Sequence, residues 1–94
     1  MDTTEARIIL DEIVRWYRGL SYTQLVALVG KYDGFVQVTA PSGTEYNLQT
    51  MIVWDDLQVR TNNIRAFVWI DDGNLYDRIG DDFIVDPQGH FIGE

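Results

Sequence analysis

The stretch Ile64-Arg65-Ala66-Phe67-Val68-Trp69-Ile70, closed by Asp71-Asp72-Gly73, constrains the fold more than any other part of the chain. It is a nearly unbroken run of β-branched and aromatic side chains that ends at a turn signal, which predicts a central strand. Side chains alternate between the two faces of a strand. Ile64, Ala66, Val68 and Ile70 therefore share an aliphatic face suited to cover by a helix, and Arg65, Phe67 and Trp69 share the other. A strand apolar on both faces calls for cover on both, and 94 residues have little left over for the second.

Upstream of that strand the period is helical. Ala6, Ile9, Leu10, Ile13, Trp16 and Tyr17 recur at helical spacing over residues 3–18 and form the expected buried stripe, with Ile8 and Val14 off it. Asp2 and Glu5 stand at capping-box spacing, Arg15 and Arg18 complement the dipole in the last turn, and Gly19 supplies the exit. Ser21 and Gln24 make a second capping box, with Leu20 and Leu25 placed as a hydrophobic staple. A short second helix over residues 22–29, ending at Gly30, follows from them.

Beyond Gly34 the period becomes two. Residues 35–40 read as a first strand, with Phe35 and Gln37 on one face and Val36 and Val38 on the other. Pro41-Ser42-Gly43 turns the chain into a long second strand over residues 44–54. Tyr46, Leu48, Ile52 and Trp54 share one of its faces, and Glu45, Asn47, Gln49, Met51 and Val53 the other. Residues 57–60 extend it past a bulge at Asp55-Asp56, and Thr61-Asn62-Asn63 turns into the central strand. A fourth strand is expected over residues 75–79, and residues 83–85 and 90–92 as a short terminal hairpin or irregular tail.

Helices first and hairpin-linked strands afterwards imply a single α+β domain over residues 1–94. One long N-terminal helix and a short second helix would pack on a curled antiparallel sheet of about four strands. The outline resembles the cystatin-type arrangement, a likeness of architecture that carries no motif and implies no function.

Composition excludes several classes. An apolar fraction of 46% and an aromatic fraction of 13% exclude a disordered chain. No apolar run approaches the ~18 residues of a membrane helix. The N-terminus opens on Asp2, Thr3, Thr4 and Glu5 rather than an export signal, so the expected location is cytoplasmic. The absence of cysteine removes disulfides, thiolate metal sites and cysteine nucleophiles. The net charge of −8 is uneven: residues 41–94 carry ten acids against Arg60, Arg65 and Arg78. That half repels phosphate backbones, which argues against nucleic acid and leaves solubility or a basic protein partner as its use.

Three acidic pairs punctuate the strands: Asp55-Asp56, Asp71-Asp72 and Asp81-Asp82. A meander would bring Asp55, Asp56, Asp81 and Asp82 to one edge, a hard-oxygen set suited to calcium or magnesium. Aspartate is also the ordinary residue of turns, and the turn reading is preferred, with no metal or other cofactor expected. His90, Ser21 and Ser42 are the only triad material; Ser21 is committed to capping, so no catalytic residues are assigned and the chain is not expected to be an enzyme. Isolated Gly73, Gly80, Gly89 and Gly93 are read as turn glycines.

What remains is the second sheet face. Phe67 and Trp69, with Met51 and Val53 on the neighbouring strand and Arg65 beside them, would form a contiguous apolar patch if the first helix covers the opposite side. The leading expectation is an acidic, non-catalytic interaction module that works through this face, by homodimerising or by docking on another protein. A small-molecule pocket between the first helix and the sheet, lined by Trp16, Tyr17, Tyr46 and Trp54, is the alternative. An inhibitor- or immunity-type binder of a basic protein is the third.

Overall fold

In the computed structural model of the chain, residues 1–55 and 62–94 are described, with all their side chains but those of 32–35 and 75. Helix α1 spans Thr3–Arg18 and helix α2 spans Tyr22–Leu28. Strands β1 (Tyr32–Thr39), β2 (Glu45–Trp54), β3 (Ile64–Asp71) and β4 (Ile79–Val85) form one antiparallel meander in the order β1-β2-β3-β4. The α+β class and the helix-on-meander arrangement are those expected. The expected extension over residues 57–60, together with Asp56 and Thr61, lies outside the described residues. No helix among the described residues is long and apolar enough to cross a membrane.

Local chemistry sets the helix ends. The Asp2 side chain accepts from the Glu5 amide at 3.1 Å. Glu5 is spent elsewhere: its Oε1 accepts from the Ser42 hydroxyl at 2.7 Å and the Tyr46 hydroxyl at 2.8 Å, tying the first turn of α1 to the β1–β2 hairpin. At α2 both halves of the box are made, Gln24 N to Ser21 Oγ at 3.1 Å and Ser21 N to Gln24 Oε1 at 2.9 Å. Each such cap supplies a partner for an amide that the helix itself cannot satisfy.

The stripe of α1 is rotated from the expected one. Ala6, Leu10 and Val14 are buried, whereas Trp16 is 61% exposed. Helix α1 packs chiefly on β3 and β4. On the Val14 side Arg7 reaches Asp81 and Arg18 lies over Phe83, both of β4, while Trp16 is turned to solvent. Ile9, Ile13 and Tyr17 flank the stripe half-buried, and Ile8 lies outside it. Under α1, Ile64, Ala66, Val68 and Ile70 are all 0% exposed, and Tyr46, Leu48 and Ile52 from β2 complete the layer with Phe83 and Val85 from β4. Leu25 of α2 joins the same core. Full burial of side chains such as Leu10 and Leu25 contributes about 1.5–3 kcal/mol each.

The fourth strand is displaced from its expected place. Residues 75–77 form a 3₁₀ turn, and β4 begins only at Ile79. Asn74 is the cause: its Oδ1 accepts from Tyr76 N at 3.0 Å, its Nδ2 donates to Asp77 at 3.2 Å, and its carbonyl accepts from Asp77 N at 3.1 Å. These local bonds offer the backbone an alternative to the sheet ladder. Asp81-Asp82, expected to mark a turn, lies inside the strand, facing Val68 and Phe67.

After β4 the chain turns at Asp86–His90 and returns along the strand, with Phe91 bridging to Val85 and Ile92 N donating to Ile84 O at 2.8 Å. Phe91 meets Phe83 edge-on at 5.6 Å, and the Arg18 guanidinium lies over both rings while its Nη2 pairs with Glu94 at 2.6 Å. The C-terminal segment is therefore fastened to the helix side of the sheet.

Candidate functional site

With α1, α2 and the C-terminal segment all on one side, the other face is built by the alternate residues of the strands. The register lays them out in rows. Val53 faces Arg65, which faces Ile84; Met51 faces Phe67, which faces Asp82; Gln49 faces Trp69, which faces Gly80; and Asn47 faces Asp71. Met51, Val53, Arg65, Phe67 and Trp69, assigned to one surface from alternation, are thus direct neighbours, and all are half-buried.

The centre of this face is a stack. The Phe67 and Trp69 rings are 5.4 Å apart and parallel to within 1°. Arg65 lies over Phe67 at 5.6 Å and Arg78 over Trp69 at 5.4 Å, so a guanidinium closes each end of the aromatic pair. A ring pair adds about 0.5–1.5 kcal/mol beyond its area, and an exposed cation–π contact about 0.5–1 kcal/mol. The stack lies along one wall of an open groove of about 420 Å³ lined by Phe67, Trp69, Arg78, Gly80, Asp81 and Asp82.

Gly80 is what lets the indole lie down. A Cβ there would stand 2.5 Å from Trp69 Cδ1 and 3.0 Å from Nε1. Its role is this close approach across the strand pair, not a turn as expected from the sequence. Arg78, Gly80 and Ile84 belong to the face, and sequence reasoning did not assign them to it. A glycine held inside an alternating segment was the available signal, once β4 is placed over 79–85.

The acidic residues divide by strand parity. Asp55 Oδ1 is 3.1 Å and Asp82 Oδ2 3.7 Å from Arg65 Nε, so the expected approach of these two carboxylates occurs around an arginine. Asp81 points to the other face, where it pairs with Arg7 at 3.2 Å, because neighbours along a strand cannot share a side. Asp71 accepts from Asn47 Nδ2 at 3.1 Å and Gly73 N at 2.8 Å, as a turn aspartate. Among the described residues no group of three or more His, Cys, Asp or Glu side chains is placed to hold a metal ion.

The residues of the alternative pocket are not gathered. Tyr46 is 0% exposed, and burial, reinforced by its hydrogen bond to Glu5, pushes its phenol up to about 12. Trp54 stands eight residues further along β2, roughly 26 Å away. Trp16 and Tyr17 meet each other edge-on at 5.0 Å, with Trp16 turned to solvent. Ser42 donates to Glu5, and His90 lies 78% exposed beside Asp86 at 3.6 Å, so the triad residues are apart as well.

The fold and the face define an α+β domain with its helices on one side and an aromatic–guanidinium stack on the other. Comparison with known proteins adds no relative: no family model, curated protein or solved structure matches the chain.

Proposed function

We propose that the protein is a non-catalytic protein-interaction module that docks through the Met51–Val53–Arg65–Phe67–Trp69 face of its sheet. The observation that carries this reading is the one-sided cover. Both helices and the returning C-terminal segment belong to the core on the aliphatic side, while a stacked Phe67–Trp69 pair between two arginines lines an open groove on the other. Aromatic residues and arginine are the side chains that contact surfaces favour, because they bury much area with few rotors. The acidic surroundings, among them Asp55 and Asp82, would form the polar rim and steer a partner's basic groups.

The test compares the wild type with the double variant Phe67→Thr, Trp69→Thr, which keeps β-branched residues in the strand. The far-UV circular dichroism at about 25 °C should be unchanged although the Tm falls by about 8–16 °C, the shift that about 2 kcal/mol produces in a domain of this size, while binding of the apolar dye ANS to the dilute native protein falls sharply. Trp16→Ala, on the helix side, serves as the control for dye bound elsewhere. A double variant that unfolds, or a wild type whose dye binding does not depend on these residues, would assign the face to the fold and end the reading.

A further inference from the structure

We infer that the occupant of the aromatic face is a second copy of this chain, packed sheet to sheet about a two-fold axis that runs across the strands. This rests on the reading of the face as a docking surface and adds the identity of the partner. The first argument is charge. Residues 41–94 carry ten acids and only Arg60, Arg65 and Arg78, and two of those arginines lie on this one face. They are not placed alike. Arg65, at one end of the stack, already has Asp55 at 3.1 Å and Asp82 at 3.7 Å. Arg78, at the other end, lies on Trp69 with no carboxylate in ion-pair range among the described residues. At that end Asp71 of β3 is buried and engaged by Asn47 Nδ2 and Gly73 N, whereas Asp55 and Asp82 gather at the other end, within a molecule that is otherwise strongly negative.

Self-pairing can complement that asymmetry in only one of its two orientations. An axis parallel to the strands would set the Arg78 end of each copy against the same end of the other. An axis across them reverses the strand direction and sets the Arg78 end of each copy against the Asp82 end of the other, with the two Phe67–Trp69 pairs facing each other. That is the isologous solution, in which the same contact is made twice.

The second argument is area. Four strands spaced about 4.8 Å apart, each about eight residues of about 3.3 Å, present roughly 500 Å² in projection. Two such faces bury about 1,000 Å², which is where specific interfaces begin. The paired sheets would lie about 10 Å apart with all four helices outside.

The experiment is sedimentation equilibrium of the wild-type chain from about 1 to about 500 µM, a range that reads dissociation constants in the micromolar decades. A reversible monomer–dimer equilibrium is expected. Trp69→Ala should weaken it by about 30-fold or more, the loss typical of a central aromatic. Arg78→Glu and Asp82→Arg, both at exposed positions, should each weaken it about tenfold or more, because each places like charges together at two symmetry-related contacts. Mixing those two variants in equal amounts should restore a dimer, since each supplies the charge the other now lacks. A wild type monomeric over the whole range would overturn the inference. So would a dimer indifferent to Trp69→Ala and Arg78→Glu, or a mixture that fails to recover. The reading beneath it is separable: a monomer whose dye binding still depends on Phe67 and Trp69 rejects the second copy but keeps the docking surface, and a monomer without such binding rejects both.

Discussion

The two faces of β3 are built from alternate residues of one eight-residue strand and could hardly differ more. On one side Ile64, Ala66, Val68 and Ile70 are entirely shielded, by a helix, a second helix and a returning tail. On the other, Arg65, Phe67 and Trp69 lie half-buried among side chains of the same sheet: the flanking Met51 and Val53, Asp55 and Asp82 on Arg65, Arg78 over Trp69, and the flat backbone of Gly80. The aliphatic face is shielded by chain distant in sequence, the aromatic face by side chains lying flat along it. A single strand thus serves as core on one side and as surface on the other, and that asymmetry is open to measurement.

The largest expected effect is on the covered side. Leu10→Ala empties a fully buried position under α1 and should cost about 3 kcal/mol in urea denaturation. Phe67→Thr on the open side should cost roughly 1 kcal/mol. Equal losses would erase the distinction between the faces.

Next comes the floor of the open side. Gly80→Ala drives a methyl into the Trp69 ring and should cost about 1–3 kcal/mol, as overpacking does. In a Trp69→Ala background the same change should cost far less, so a double-mutant cycle isolates the contact. Additive losses would mean that the indole does not rest on Gly80.

A smaller effect belongs to the entry of α2, one of the elements on the covered side. Ser21→Ala removes one partner of a completed capping box and should cost about 1 kcal/mol, with Ser21→Gly closer to neutral. The last effect is nil at neutral pH and grows only in alkali. Tyr46 holds its proton in the folded protein to about 12, against 10.0 ordinarily. A raised folded value means the associated stabilisation is intact below about pH 10 and is lost as the pH climbs towards 12. Stability measured across that interval should fall more steeply for the wild type than for Tyr46→Phe, the other tyrosines cancelling in the difference. Parallel curves would remove the buried phenol from the description of the covered face.

What could be read in advance follows the reach of the interactions concerned. The limits of α1 and the complete Ser21–Gln24 box were legible because each depends on bonds between residues three or four apart. The gathering of Met51, Val53, Arg65, Phe67 and Trp69 on one face was legible because alternation is a property of extended chain. The start of β4 was not, since a run with strand-like residues lost its first members to Asn74, whose side-chain bonds compete with the ladder. The exchange of Val14 for Trp16 in the buried stripe was equally out of reach. Both sit on the margins of one apolar arc, and only the position of α1 over β3 and β4 selects between them.

The amino-acid order alone settled that this chain has two capped helices, a meander after them, and a middle strand greasy on both sides. Those properties depend on caps, turns and periodicity, all of which act over a few residues. Which side of the sheet the tail would take, and that a glycine eleven positions away would lie beneath Trp69, were decided by the tertiary structure. They depend on pairings between distant segments, where shifting a strand by one residue sends every side chain to the opposite face.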